Sequence, residues 1–426
     1  MSIPAKKSAL SSITSSSLGN ILEWYDFGLF AIFSALFGRL FFPTTDPNTA
    51  LIATFSIFAV GFLCRPIGAL IFGYLGDKYG RAKTLRLSIL MITLPTLLIG
   101  LLPSYQQIGI FAPILLTLTR VWQGISIGGE YSGTLIYLAE TAPAAHRALF
   151  TSFASTGANI GVLLAALVGV ICSSLFSEAA LHDWGWRVPY LISGLFCLFM
   201  YQYRLRLQET AVFDYLKNKK LLVANPIKTM LQHNIPQLLR TLGLVCVGST
   251  FYYFCFVYLP IYLTSTLQIS TYATSLLMML LISLMIVLVP ITGYLCDRWG
   301  RRPLLLFNAF FIAGIVIPGF YFLQIGSLLL ISTVLVIFVI ASSLEQGTTS
   351  VAVVENFPLP ARYTGLSFSY NIGNGLLGGT VPMVCAWLMT LLQNPLAPAM
   401  YIALCAVITG VVVFCWVPET RGRALV

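Results

Sequence analysis

The chain has 426 residues, of which 58% are hydrophobic and only 9% are charged, and its formal net charge is +10. A soluble globular protein carries about 25% charged residues, so this composition excludes an ordinary soluble enzyme, a disordered chain and a nucleic-acid binder. The apolar runs are continuous and have roughly the 20 residues of a transmembrane helix, which excludes the alternating segments of a membrane β-barrel. The sequence therefore predicts an all-α polytopic protein of the lipid bilayer.

Twelve such runs follow one another along the chain and predict twelve transmembrane helices. They lie at 18–42, 50–76, 84–103, 111–139, 148–173, 187–205, 239–264, 272–296, 303–323, 328–354, 363–390 and 397–417. An even number of spans places both termini on the same side of the membrane.

The distribution of lysine and arginine indicates which side this is. Of the 24 basic residues, 20 fall at the termini and in one set of connecting segments, whereas the six opposite loops hold none. Because basic loops remain in the cytoplasm, both termini are predicted to be cytoplasmic. This assigns 1–17 and 418–426 to cytoplasmic tails, and 206–236 to a cytoplasmic linker between six-helix bundles at 18–205 and 237–417.

An internal repeat supports the division into two halves. Residues 73–83 read GYLGDKYGRAK and residues 293–303 read GYLCDRWGRRP, each between the second and third span of its half. A second repeated set follows the fourth span of each half, namely Glu140 with Arg147, and Glu355 with Arg362. The six-helix unit is therefore predicted to occur twice in the same orientation.

Two halves of six spans, each with G-x-x-x-D-[KR]-x-G-R between spans 2 and 3, resemble the major facilitator superfamily. Four segments of the first half resemble its metabolite:proton symporter branch, which includes bacterial proline/betaine, shikimate, citrate and 2-oxoglutarate carriers. They are GNILEWYDF (19–27), FLCRPIGALIFGYLGDKYGR (62–81), RVWQGISIGGEYSG (120–133) and WGWRVPY (184–190). The second half departs more from the branch, and Glu345 in span 10 is not among its usual features.

The resemblance implies a secondary active transporter of the bacterial inner membrane. Such a protein imports a small carboxylate-bearing or zwitterionic metabolite together with a proton by alternating access. A proton-independent facilitator or exchanger of a similar metabolite is the alternative within the same class. The resemblance also implies that spans 1, 4, 7 and 10 line a central cavity, and we expect a functional monomer.

The repeated loop elements resemble the gate of this superfamily. Asp77 and Asp297 are expected to meet the N-terminal dipole of a helix in the opposite half, and the arginines that follow them are expected to pair with acids at the ends of spans 4 and 10. The predicted gate consists of Asp77, Arg81, Glu140, Arg147, Asp297, Arg301, Glu355 and Arg362. The alternative is that its basic members only fix the topology.

Charged side chains inside a bilayer are costly, so each needs a reason. At about 1.5 Å per residue, Glu23, Asp26, Arg65 and Glu130 fall in one layer of the cytoplasmic half of the membrane. These four form the predicted proton-coupling set, because a carboxyl in apolar surroundings favours its neutral form and can carry a proton. Asp26 is the predicted carrier and Glu130 the second candidate. The alternative is a structural ion pair of Arg65 with one of them.

The residues assigned to the substrate are Arg120, Gln123, Tyr252 and Glu345. Arg120 lies near the middle of the membrane, where a guanidinium can hold a carboxylate through two parallel bonds. Tyr252 and its aromatic neighbours on span 7 could enclose a cationic part of the substrate, and lipid-facing rings are the alternative. Buried acids outnumber buried bases, which favours a zwitterion over a dianion.

Other classes of protein lack support in the sequence. Segments 124–128 and 373–378 match a hydrolase elbow and a dinucleotide fingerprint only by letters, because both lie within apolar helices. The three histidines are far apart, so no metal site is expected. A receptor would need an output domain larger than the linker. We therefore expect no enzyme activity, no cofactor and no nucleic-acid partner, only a metabolite, a proton and the bilayer.

Overall fold

The computed structural model describes residues 9–42 and 47–425, which are helical and contain no β-strand. Each of the twelve predicted runs coincides with a helix or with consecutive helical segments, numbered α1 to α12 here. The first half has α1 (Ala9–Ile32 and Ser34–Phe41), α2 (Pro47–Tyr79), α3 (Arg81–Leu101), α4 (Phe111–Thr141), α5 (Arg147–Leu175) and α6 (Arg187–Arg204). The second half has α7 (Ile235–Tyr253, Phe254–Tyr258 and Leu259–Ser265), α8 (Thr271–Trp299), α9 (Arg301–Leu323), α10 (Leu328–Glu355), α11 (Arg362–Ile372, Gly373–Gly378 and Val381–Leu392) and α12 (Ala397–Trp416).

Most of these helices are long and apolar enough to cross a membrane. Within the described chain nine helices meet this criterion, or ten when the two parts of α1, which meet at 64°, count as one span. α4 and α6 complete the predicted twelve. They fall outside the criterion because Arg120 and Gln123 make α4 more polar, and because α6 has only 18 residues and an arginine at each end.

Two spans of the second half are interrupted by π-helical turns. In α7 the turn Phe254–Tyr258 precedes Pro260, and in α11 the turn Gly373–Gly378 precedes Pro382. Proline has no N–H to donate to the carbonyl four residues earlier, so the helix takes up an extra residue at this point. Both turns lie next to the cavity described below.

The halves pack through two equivalent helix pairs, α2 against α11 and α5 against α8. Gly73 of α2 and Gly293 of α8 occupy matching repeat positions and allow this close approach. A Cβ atom on Gly73 would lie 2.5 Å from the Cα of Thr364, and one on Gly293 would lie 2.9 Å from the carbonyl oxygen of Ala148. We call the side of the molecule where these pairs meet the charged loops the basic face.

The connector between the halves lies at the basic face and contains two short helices, Ala211–Asn218 and Pro226–His233. The side chains of Thr210 and Asn225 cap them by accepting backbone hydrogen bonds. At the N-terminus, α1 begins at Ala9, well before the predicted start of span 1 at residue 18. The lysines at positions 6 and 7, assigned to the N-terminal tail, lie outside the described residues.

Candidate functional site

Two aspartates join the halves at the basic face. Asp77, at the end of α2, accepts hydrogen bonds from the backbone N–H of Tyr363 at 3.1 Å and of the following residue at 2.9 Å. Asp297, at the end of α8, accepts them from the backbone N–H of Ala148 and of the following residue, both at 2.9 Å. Each carboxylate therefore caps the first turn of a helix from the opposite half, where the helix dipole favours negative charge.

Glu140, at the end of α4, connects an arginine of its own half with one of the other half. Its carboxylate lies 3.4 Å from Nε of Arg81 and 3.3 Å from Nη1 of Arg362. Thr210 also donates its hydroxyl to this carboxylate at 2.6 Å. All three charged side chains are buried, so separating the halves would leave unpaired charge behind.

Glu355, at the end of α10, makes the equivalent connection in the second half. Its carboxylate lies 3.2 Å from Nε of Arg301 and 2.6 Å from Nη1 of Arg147. The hydroxyl of Thr420 donates to it as well. The structure thus brings all eight predicted gate residues together in two symmetric clusters.

Sequence reasoning missed a third matched pair, Glu209 and Glu419. Glu209 accepts a hydrogen bond from the backbone N–H of Arg81 at 2.9 Å, and Glu419 accepts one from that of Arg301 at 3.1 Å. Burial raises the pKa of the Glu209 carboxyl. Four backbone N–H bonds outweigh burial at Glu419 and lower the pKa of its carboxyl. The signal was present, because both acids precede a threonine shortly after the last span of their half.

Inside the first half, Asp26 of α1 pairs with Arg120 of α4. The guanidinium Nη1 lies 3.1 Å from Oδ2 of Asp26, to which Gln123 Nε2 donates at 2.7 Å, and Thr96 donates to Oδ1 at 3.0 Å. The guanidinium also lies against the ring of Phe30, at 4.1 Å from its centre. The predicted substrate residues Arg120 and Gln123 are therefore bound to Asp26 within the bundle.

The partner of Glu130 is Arg204 at the end of α6. Their atoms Oε2 and Nη1 lie 2.9 Å apart, and Ser88 donates a further bond to the carboxylate. The alternative of an ion pair between Arg65 and Asp26 or Glu130 is wrong in this structure, because these acids pair with Arg120 and Arg204. Arg204, in the last turn of α6, is only 1% exposed.

Arg65 and Glu23 lie in the same region without an ion pair between them. The guanidinium of Arg65 is enclosed by aromatic rings, with its carbon 4.1 Å from the ring centre of Phe62 and 4.7 Å from that of Phe27. Its Nε and Nη2 atoms, and Oε2 of Glu23, are buried and have no hydrogen-bond partner within the described part of the chain. These are the two residues of the predicted coupling set that keep unused bonding capacity.

A cavity of about 60 Å³ lies between the halves, with space for a few water molecules or for part of a small solute. Its walls come from α1, α4, α5, α7, α10 and α11, which include the four helices predicted to line it. Aromatic rings and one carboxyl dominate the lining, namely Trp24, Tyr131, Tyr252, Tyr370 and Glu345. A hydrogen bond from Asn159 to Gln346 at 3.0 Å joins the halves beside it.

The two predicted substrate residues of the second half therefore line the cavity, whereas the two of the first half do not. Glu345 is 7% exposed and fits against Gly248, where a Cβ atom would lie 2.2 Å from Oε1 of the carboxyl. The ring of Tyr252 lies 6.4 Å from that of Trp24 in an edge-to-face arrangement. Tyr131 and Tyr370 stack at 5.0 Å and were missed because single aromatic residues in apolar spans give no distinct signal.

With this architecture, the chain is a multi-pass membrane transporter of the major facilitator class. Residues 12–426 match the model of the family described as "Sugar (and other) transporter", and the chain belongs to that family. This confirms the resemblance that the repeated loop motif indicated.

Among the relatives, the proline/betaine transporter of Escherichia coli K12 is 36% identical over 425 residues, which cover 97% of this chain and 84% of that protein. The glycine betaine/proline/ectoine/pipecolic acid transporter OusA of Dickeya dadantii is 35% identical with the same coverage. A putative proline/betaine transporter of Staphylococcus aureus is 34% identical and covers 99% of this chain and 91% of its own.

Solved structures agree on the fold. The proton:xylose symporter XylE of E. coli, bound to 6-bromo-6-deoxy-D-glucose, aligns with a TM-score of 0.81 over 98% of this chain and 97% of its own, at 17% identity. The transporter FucP in the outward conformation aligns with a TM-score of 0.70, covering 97% of this chain and all of its own, at 16% identity. At these identities the likeness concerns the fold alone.

Proposed function

We propose that this protein is a proton-coupled importer of a small zwitterionic metabolite of the proline or betaine type. The observation that carries the proposal is the cavity between the halves, which four aromatic side chains and the Glu345 carboxyl line together. Aromatic faces attract organic cations, and a carboxylate adds a counter-charge. Such a lining suits a quaternary or secondary ammonium group. The relatives named as proline/betaine transporters support the same class of substrate.

The proposed proton carrier is Asp26. When Arg120 holds it, as in this structure, the ionised carboxylate is favoured by a buried ion pair with further hydrogen bonds. When the pair separates, the apolar surroundings favour the neutral form. Proton uptake and release would then follow the movement of Arg120. The roles of Arg120 and Gln123 become those of partners to the carrier.

The proposed gate is the set of contacts at the basic face. Asp77, Asp297, Glu140 and Glu355 each bind groups of the opposite half, so these bonds must break before the cavity opens on that side. We assign the basic face to the cytoplasm from the lysine and arginine distribution. Both termini and the linker 206–236 would then be cytoplasmic. The protein would act as a monomer in the bacterial inner membrane and would catalyse no reaction.

Uptake into proteoliposomes tests the proposal. Purified protein should accumulate labelled proline or glycine betaine above the external concentration when an inward proton gradient is applied, and a protonophore should abolish the accumulation. Liposomes without protein are the control. Uptake that only equilibrates and does not respond to the protonophore would support the facilitator alternative. No uptake of any amino acid or betaine would contradict the substrate class.

A further inference from the structure

Arg65 is the available cation of the first half. It is 2% exposed, and its Nε and Nη2 have no hydrogen-bond partner among the described residues. Arg120, by contrast, binds the Asp26 carboxylate. A buried charge without hydrogen bonds is costly, because nothing replaces the water that it has lost. A site that retains such a cation suits a ligand that completes its bonds.

Two further hydrogen-bond donors near Arg65 are also unused. The indole Nε1 of Trp24 and the hydroxyl of Tyr253 are buried and find no hydrogen-bond partner in residues 9–42 and 47–425. The guanidinium carbon lies 5.8 Å from the ring centre of Trp24, and the ring of Tyr253 lies 6.4 Å from that of Phe62, which covers the guanidinium. Tyr253 belongs to the second half of the molecule. The residues that carry these donors therefore come from both halves and lie in one region at the interface.

This place adjoins the cavity, because Trp24 belongs to both. Its ring lines the cavity beside Tyr252, and the same ring lies beside the Arg65 guanidinium. Glu23 is close enough to interact electrostatically with Arg65 without forming an ion pair. An acidic, aromatic cavity thus borders a cationic region rich in donors.

We propose that Arg65, Tyr253 and Trp24 form the binding site for the carboxylate group of the substrate, while Glu345 and the cavity rings receive its ammonium group. The inference rests on the proposed function, because it assumes a zwitterionic substrate. A guanidinium suits a carboxylate, which it binds through parallel bonds. Binding at the interface also explains how one solute contacts both halves, as alternating access requires.

Matched ligands with and without a carboxylate test the site. Glycine betaine is compared with choline, and proline with pyrrolidine, by calorimetric titration of the purified full-length protein. Arg65→Gln should weaken binding of the carboxylate-bearing ligand about tenfold or more, because a charge-assisted hydrogen bond is lost, and should leave its partner ligand within about twofold. Retained binding of choline or pyrrolidine also demonstrates that the variant is folded. Tyr253→Phe removes one donor and should give a smaller loss of the same kind.

Glu345→Gln is the matched control, because it should weaken both members of each ligand pair equally. Unchanged binding of glycine betaine and proline to Arg65→Gln would overturn the inference, as would an equal loss of both members of a pair. An inorganic anion could occupy the same donors. If removal of chloride weakens ligand binding to the wild type but not to Arg65→Gln, chloride is the ligand and the substrate assignment is overturned. Failure of the wild type to bind or take up any zwitterion would refute the proposed function itself.

Discussion

The two halves of the molecule are alike at the basic face and different inside the membrane. At the basic face each contact of one half has a counterpart in the other, as with Asp77 and Asp297. In the interior, the first half buries two ion pairs, Asp26 with Arg120 and Glu130 with Arg204. It also buries Glu23 and Arg65, which have polar atoms without a hydrogen-bond partner among the described residues. Within the described chain, Glu345 is the one charged side chain in the interior of the second half, away from the basic face.

This difference corresponds to two functions, the gate at the basic face and the coupling to a proton in the interior. A gate between two repeated units can use the same contact twice, because both units move relative to one another. Coupling to a proton needs a single carboxyl whose surroundings change, so nothing requires a second copy. The proposed proton chemistry therefore lies in one bundle, whereas the aromatic wall of the cavity comes from both, with two rings from each half. The following predictions test this separation, from the largest expected effect to the smallest.

The largest effect is expected at Asp26. Asp26→Asn keeps the shape of the side chain and resembles the permanently protonated carboxyl. It should abolish accumulation against a gradient, because no proton can be gained or lost at this position. Substrate exchange across the membrane should remain measurable. The measurement is uptake into proteoliposomes with and without a proton gradient, followed by exchange of internal labelled substrate.

Glu130 provides the contrast within the same bundle. Glu130→Gln leaves Arg204 buried without a charged partner, which should destabilise the protein by about 3–5 kcal/mol. Thermal unfolding of the purified protein measures this effect. The double change Glu130→Gln with Arg204→Met should restore much of the stability, because it removes both charges. If Glu130→Gln is stable but loses accumulation while Asp26→Asn retains it, the carrier is Glu130.

The comparison of Asp26 with Glu130 also shows which parts of the site the sequence could predict. Spans, repeat and gate residues were predictable, because apolar runs, loop charges and matched spacing are local features of the chain. The sequence did not predict which arginine pairs with which acid. Depth along a helix placed Asp26 and Glu130 in one layer, yet Asp26 pairs with Arg120, which precedes Glu130 by ten residues on α4. Glu130 pairs with Arg204, which reaches it from the end of α6, and only packing determines that contact. The same applies to Arg120, which the sequence assigned to the substrate and the structure pairs with Asp26.

The symmetric part of the molecule makes a different prediction. Asp77→Asn removes a carboxylate that two backbone N–H groups of the other half bind. A loss of about 1–3 kcal/mol would shift the balance toward the state open at the basic face by roughly 5- to 150-fold. The rate at which a cysteine introduced at Ala158, in the cavity lining, reacts with a maleimide added from that side reports the shift. Asp297→Asn should act to a similar extent, and a change in only one variant would contradict the symmetry.

The smallest effect concerns Glu209 and Glu419, which cap equivalent helices but whose pKa values move in opposite directions from 4.5. Burial raises the pKa of the Glu209 carboxyl, so the folded protein binds its proton more readily than the unfolded chain does. The contribution of Glu209 to the free energy of unfolding should therefore increase as the pH falls through the window just above 4.5. Backbone N–H bonds lower the pKa of the Glu419 carboxyl despite its burial, so its contribution is present above 4.5 and is lost as the pH falls below that value.

The two windows lie on opposite sides of 4.5, which makes the contributions separable in one experiment. The melting temperature of the purified protein is measured between about pH 3.5 and 6.5 for the wild type, Glu209→Gln and Glu419→Gln, a range that brackets the ordinary glutamate pKa. As the pH is lowered, Glu209→Gln should no longer show the gain in melting temperature above pH 4.5, but it should keep the loss below pH 4.5. Glu419→Gln should do the reverse. If both substitutions alter the melting temperature in the same pH range, the two carboxyls are electrostatically equivalent. The symmetry of the basic face would then include the protonation of these two caps.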